Sequence, residues 1–226
     1  GASIFAFEKL GLKVVGIDNL YNLKNKKEIW TPEINYNYNL FNSNVDLKYG
    51  DITKETDLDE NSIDIIYSAS VLEHIQTLEK AFEECYRILK PGGIMLHSYH
   101  PFYAFDGGHA LCIPDYPWGH ILLKKNEYKN YLQKFRPYEA KTAIKYLDKA
   151  LSYEDSQKNV QLNLLSTGFN ILNWRNYSTN HKNLKDLNPN IIRECLKINN
   201  ELSIEDLITQ NINFIAKKDI NFKTLK

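Results

Sequence analysis

Residues 61–99 decide the fold: NSIDIIYSASVLEHIQTLEKAFEECYRILKPGGIMLHSY. Ile63, Ile65 and Ile66 form a short β-branched run, with polar residues 59–62 before it and Ser68 and Ser70 after it, the pattern of a strand. Leu78, Ala81, Phe82, Cys85 and Leu89 then recur at helical spacing and make one apolar face. Pro91, Gly92 and Gly93 are expected to stop that helix, because proline has no amide hydrogen to donate and glycine takes a left-handed exit at little cost. Ile94, Met95 and Leu96 open the next strand. Strand, helix and strand over this length make a parallel crossover, so the chain is α/β.

Asp64 at the start of the strand, S-x-x-x-x-E-H-I over residues 68–75, and RILKPGG from Arg87 to Gly93 before a hydrophobic strand together resemble the class I S-adenosylmethionine (SAM) dependent methyltransferases of the type 11 kind. The resemblance runs over residues 1–99 and fades beyond them. It implies a Rossmann-like, mostly parallel seven-stranded sheet whose first strand is absent from this sequence, and it implies SAM as cofactor. By the same resemblance Gly1 is the last glycine of the cofactor loop, and Asp18, with Asn19 beside it, holds the ribose hydroxyls. Asp51 accepts from the adenine amino group, Ile52 packs on the ring, and the segment opening at Ser68 faces the methionine part of the cofactor. The bare residues agree in part. Val14, Val15 and Ile17 form a strand that ends at Asp18, and ligands of a doubly wound sheet sit beyond the carboxyl ends of its strands. The plain alternatives are that Asp18 caps a loop and Asp51 starts a turn.

The opening GASIFAFEKLGLKVVGIDNLYN also looks like the start of an NAD-dependent sugar epimerase or dehydratase. Such enzymes need a Tyr-x-x-x-Lys pair in which lysine lowers the tyrosine pKa, and Tyr86 with Lys90 has that spacing. A third reading is a non-catalytic, binding member of the methyltransferase fold.

Composition narrows the classes. At 226 residues the chain is read as one domain, 1–226, with a helical and loop cap inserted at about 100–165. A net charge of zero argues against a nucleic-acid partner. Cys85, Cys112 and Cys195 show neither disulfide nor zinc spacing, which fits a reducing cytoplasm, and no apolar run reaches membrane-spanning length. Residues 1–10 read as a helix closed by Gly11, 45–49 as a strand, 139–151 as a helix, and 171–177 and 212–216 as a closing pair of strands with a helix at 189–201 between them.

The cap carries the chemistry. HSYHPFY at 97–103, DGGH at 106–109 and PDYPWGH at 114–120 are rich in glycine, proline and aromatics, and so long a loop is uncommon without a function. It is expected to act as a mobile substrate lid. His100, His109 and His74 are the candidate catalytic proton acceptors, and Glu73, Tyr103, Trp118 and His120 the candidate substrate contacts. The wide spacing of the histidines predicts no metal site. Trp30 either covers a ligand or anchors its loop. The basic run over 124–149 is a solvated helical face, or an attraction for an anionic substrate such as a nucleotide- or phospho-sugar. The N-P-P-Y type signature of amide and nucleobase amine methylators is missing after the Ile63 strand, so the expected activity is O-methylation of a small molecule, a sugar or glycoconjugate precursor.

Overall fold

A computed structural model describes residues 2–19, 40, 43–107, 117–149, 155–179 and 184–221. The chain divides into two compact units, Gly1–Leu58 and Asp59–Lys226.

In the first unit, helix α1 (Ala2–Lys9) leads to strand β1 (Val15–Asp18), which pairs in parallel with β2 (Asp46–Tyr49). Gly11 closes the helix at φ +84°, the left-handed exit its sequence predicts. Phe5 is fully buried, and the Glu8 carboxylate accepts from Ser43 Oγ (2.6 Å) and the Asn44 amide (2.8 Å), which ties α1 to the entry of β2. Asp18 lies opposite Tyr49 in the ladder, so Asp18 and Asp51 leave the same edge of this small sheet.

The second unit holds a four-stranded sheet. Strand β3 (Ile63–Ala69) is followed by helix α2 (Leu78–Ile88) and by β4 (Leu89–Tyr99), which pairs with β3 in parallel, as a crossover requires. Short α3 (Gly119–Leu122), α4 (Lys125–Phe135), α5 (Pro137–Lys149) and α6 (Gln157–Thr167) precede β5 (Phe169–Ser178). Helices α7 (Pro189–Ile198) and α8 (Ile204–Ile208) lead to β6 (Thr209–Lys218). The strand order is β3-β4-β6-β5, with β6 antiparallel to both neighbours. The expected α/β class with a mostly parallel start and an antiparallel close is present. The expected single sheet, seven-stranded but for a first strand absent from this sequence, is not shown: the described residues form one sheet of two strands and one of four.

One face of the larger sheet is core. Met95, His97 and Tyr99 of β4 alternate inward beside Ile212, Phe214 and Ala216 of β6, all nearly inaccessible. Phe82 of α2 meets Phe214 edge to face at 6.5 Å, and α2 packs on α6 through an apolar face that includes Cys85. Burial pushes the Cys85 thiol up to about 12, as befits a small core residue. Lys218 is an unusual buried cation. Its Nζ donates to Asn61 Oδ1 (2.8 Å), Tyr86 O (2.6 Å) and Leu89 O (2.8 Å), so the end of β6 caps the last turn of α2.

Helix α2 does not end at the Pro-Gly-Gly. It ends at Ile88, with Leu89 already extended (φ −67°, ψ 137°), and Leu89 pairs with Ile63. The next pair is Ile65 with Ile94, so residues 90–93 bulge opposite Asp64 alone. Gly93 is required there: a Cβ would lie 2.9 Å from the Lys90 carbonyl and 3.1 Å from that of Asp64. Gly93→Ala is therefore expected to destabilise by about 1–3 kcal/mol in urea unfolding. Unchanged stability would mean that the bulge yields without cost.

Candidate functional site

The carboxyl ends of β3 and β4 gather the titratable side chains. Past β3, Ser70 takes φ 54°, and its amide donates to Ser98 O at 2.9 Å. This left-handed turn, unfavourable for an L residue, directs the chain into a single 3-10 turn, Leu72–His74. Glu73 in that turn is 4% exposed, and its Oε2 has no hydrogen-bond partner. Burial raises the Glu73 pKa, against backbone hydrogen bonds from Glu73 and His100 and the charges of His74 and His100, which lower it. Glu73, His74 and His100 are thus one cluster.

His100 follows the last residue of β4. Its Nδ1 lies 3.0 Å from the Gln210 carbonyl, which can only accept, so in the neutral ring Nδ1 carries the hydrogen and Nε2 the lone pair. The Gln210 side chain donates to Asp106 Oδ2 at 3.1 Å. Neither Gln210 nor Asp106 stands out in the sequence.

His97 was also missed, although its alternation with Met95 and Tyr99 marks it as inward-facing. Its Nδ1 lies 2.6 Å from Ser68 Oγ, and its ring packs on Phe214, which stacks on Trp174 at 5.2 Å. The half-buried Ser68 hydroxyl is thereby engaged by a buried ring. Burial lowers His97 to about 4 from 6.5. Below 6.5 the unfolded chain takes up a proton that the folded chain refuses until about 4, so this stability is full above 6.5 and is lost as the pH falls. Its contribution to the unfolding free energy should drop by about 2 kcal/mol between roughly pH 7 and 5. The raised Glu73 works in the opposite direction, so the comparison is with His97→Gln: urea unfolding at both pH values should show a shallower loss in the variant, and equal losses would refute the role of His97.

Of the expected cofactor contacts, Asp18 ends β1 half-buried and Asn19 follows in an exposed turn. Asp51 starts a turn: Oδ1 accepts from the Thr53 amide (3.0 Å) and hydroxyl (2.7 Å), and Oδ2 lies 3.4 Å from Lys54 Nζ. The Thr53 hydroxyl holds the Asp51 carboxyl below its usual range. Ile52 is half-buried beside it. Gly1, Trp30, Cys112 and His109 lie outside the described residues.

Three expected substrate contacts sit inside the cap. Tyr103 is 5% exposed and accepts at its hydroxyl from Asn199 Nδ2 (3.0 Å); Trp118 is fully buried and donates from Nε1 to Leu207 O (3.0 Å). His120 Nε2 is 2.7 Å from Phe102 O, and burial lowers this ring to about 4. With Phe102, Ile121, Cys195, Leu202 and Leu207, Tyr103 and Trp118 form an apolar cluster. Substrate contact was expected of these side chains; the structure shows packing. Of the segment expected to act as a lid, 102–104 and 118–119 are buried, and residues 108–116 lie outside the described residues.

The epimerase pair is split. Tyr86 donates to Asp219 O (3.1 Å) and Lys90 binds both carboxylate oxygens of Asp64 (2.8 Å each), while burial raises the tyrosine pKa where that chemistry needs it lowered. Among the described residues no group of histidine, cysteine or acidic side chains could hold a metal, and no helix is long and apolar enough to cross a membrane.

Residues 1–97 match the family model of a methyltransferase domain. A curated protein of Mycolicibacterium smegmatis, named a probable S-adenosylmethionine-dependent methyltransferase, is 35% identical over 54 residues, which are 24% of this chain and about a fifth (21%) of that relative. An S-adenosylmethionine-dependent methyltransferase from Mesorhizobium loti is similar in fold, with a TM-score of 0.51 at 13% identity over 96% of this chain and 87% of that one. YcgJ from Bacillus subtilis gives 0.52 at 16% identity over 97% and 88%. The resemblance read from residues 61–99 and the Rossmann-like fold it implies are both shown.

Proposed function

We propose that this chain binds SAM and transfers its methyl group to an oxygen of a small-molecule acceptor, a sugar or glycoconjugate precursor, with His100 as the proton acceptor. The observation that carries the reading is His100 itself: an imidazole at the carboxyl end of β4, held through Nδ1 and clustered with Glu73 and His74, in a chain whose first 97 residues match a methyltransferase domain.

The donor set fits SAM on its nucleoside side. Two carboxylates, Asp18 and Asp51, leave one edge of the β1–β2 pair, where a ribose diol and an adenine amino group offer donors side by side. Asn19, Ile52 and Gly1 would complete that side, and the main chain from Ser68 would face the methionine side. When bound, SAM supplies an activated methyl electrophile. The protein's own task is alignment and removal of the acceptor proton at His100 Nε2. His74, His109 and Glu73 complete the proposed acceptor side, and an anionic nucleotide- or phospho-sugar is the form of acceptor we favour. We also read residues 1–226 as one domain with its cap at about 100–165, working in the cytoplasm, where the free thiols of Cys85 and Cys195 would persist.

Isothermal titration with SAM and with NAD tests the cofactor, and transfer from methyl-labelled SAM across a metabolite library tests the acceptor. Binding of NAD without SAM would overturn the reading. SAM binding with no transfer to any metabolite would make the chain a binding protein.

A further inference from the structure

We propose that Asp106 is a positioning residue for His100: it holds the Gln210 side chain and thereby aims the Gln210 carbonyl that keeps the imidazole hydrogen on Nδ1 and the lone pair on Nε2. The proposal rests on the reading of His100 as proton acceptor.

Gln210 is a bulge residue. The β5–β6 ladder passes from Tyr177 with Asn211 directly to Ser178 with Thr209, and the β4–β6 ladder ends at Tyr99 with Ile212. Gln210 thus stands outside both ladders, at the kind of irregularity that re-aims a chain beside a site. Its carbonyl lies 3.0 Å from His100 Nδ1. No ladder pairing aims that carbonyl, so its direction needs another support. The side chain of the same residue supplies one, because its Nε2 donates to Asp106 Oδ2 at 3.1 Å. One residue therefore carries both bonds, the carbonyl toward the base and the amide toward Asp106.

Asp106 itself belongs to a braced turn. Residues 101–107 begin at Pro101, directly after His100, and Pro101 restricts His100 to an extended backbone. The Ala104 amide donates to Pro101 O (3.3 Å) and the Gly107 amide to Ala104 O (3.1 Å). His120 of α3 braces the turn at two points. Its Nε2 is 2.7 Å from Phe102 O, and a Cβ at Gly107, where φ is +62°, would come within 3.0 Å of its ring. Those two points bracket Asp106. His100 thus closes a small circuit. Its main chain enters the turn through Pro101, and its ring returns to the same turn through Gln210 and Asp106. A base whose main chain and ring are referred to one support offers the same nitrogen at every turnover.

The test compares Asp106→Ala, Gln210→Ala and the double variant in the full chain. Gln210→Ala removes the side-chain amide and keeps the carbonyl, so only the aim is lost. Each single variant is expected to lose about 10–100-fold in kcat with methyl-labelled SAM, the cost of a misplaced group, with the SAM Kd unchanged. The double variant is expected to lose no more than either single one, because both act through one bond. Long-range proton–nitrogen correlation spectra should show one His100 tautomer in the wild type, with its hydrogen on Nδ1, and a mixture in each alanine variant. Asp106→Asn, whose side-chain oxygen can still accept from Gln210, should restore the single tautomer. Wild-type kcat or a single tautomer in Asp106→Ala overturns the proposal, as do losses that multiply in the double variant. If Asp106→Ala does not fold, the same spectra of Gln210→Ala decide, and a single tautomer there overturns it. A chain that binds no SAM would overturn the functional reading instead, while the spectra, which need neither SAM nor acceptor, still judge Asp106.

Discussion

Replacing His100 by glutamine is expected to lower turnover by roughly 10²–10⁴-fold, the usual size of a general-base contribution, while SAM affinity holds. Glutamine keeps a hydrogen-bonding side chain near the Gln210 carbonyl but cannot take up a proton. The imidazole it replaces holds its hydrogen on Nδ1, 3.0 Å from that carbonyl, and so offers Nε2 as the acceptor. The other described histidines of the cap region divide clearly. His97 is buried and His120 half-buried; both are lowered to about 4, and they are bonded to Ser68 and to the Phe102 carbonyl. His74 shares the Glu73 cluster with His100. Single-turnover rates with methyl-labelled SAM give the comparison. Turnover that survives in His100→Gln but collapses in His74→Gln or His109→Gln would move the base to that residue and leave the fold untouched.

If Asp18 holds the ribose as proposed, removing its carboxylate should weaken SAM binding by about 2–4 kcal/mol, because two charge-assisted hydrogen bonds would be lost and solvent would recover part of them. Asp51→Ala should cost less. One of its oxygens is already committed to Thr53 and the other faces Lys54, and the adenine ring would keep its apolar contact with Ile52. Titration calorimetry on the two variants checks both size and order. Unchanged affinity in Asp18→Ala would remove the ribose assignment.

The crossover at the centre of the fold was readable because its signals are local. The β-branched run at Ile63 and the helical face of α2 each announce one element within a dozen residues. The Pro-Gly-Gly misled for the same reason. Proline and glycine after a helix signal an exit, but whether residues 90–93 cap a helix or bulge from a strand depends on the pairing of Leu89 with Ile63, far back in the chain. Burial in the cap is long-range in the same way. Glycine, proline and aromatics in sequence resemble a lid, whereas Trp118 and Tyr103 are buried by Cys195, Leu202 and Leu207. That His100 follows a strand end was legible. Gln210 was not, because it meets His100 only across 110 residues of chain.

The order in which the ribosome delivers the strands has a consequence of its own. Strand β6 lies between β4 and β5 yet is synthesised after both. As the nascent chain lengthens, β4 can pair on one side with β3, but its other edge stays open until β6 emerges. An open edge of this kind invites pairing with another chain. The Gln210 carbonyl arrives with the same strand, so His100 has no ring anchor until the sheet is closed. During translation this chain therefore exposes an open strand edge for as long as His100 lacks its ring anchor, and one late event ends both conditions.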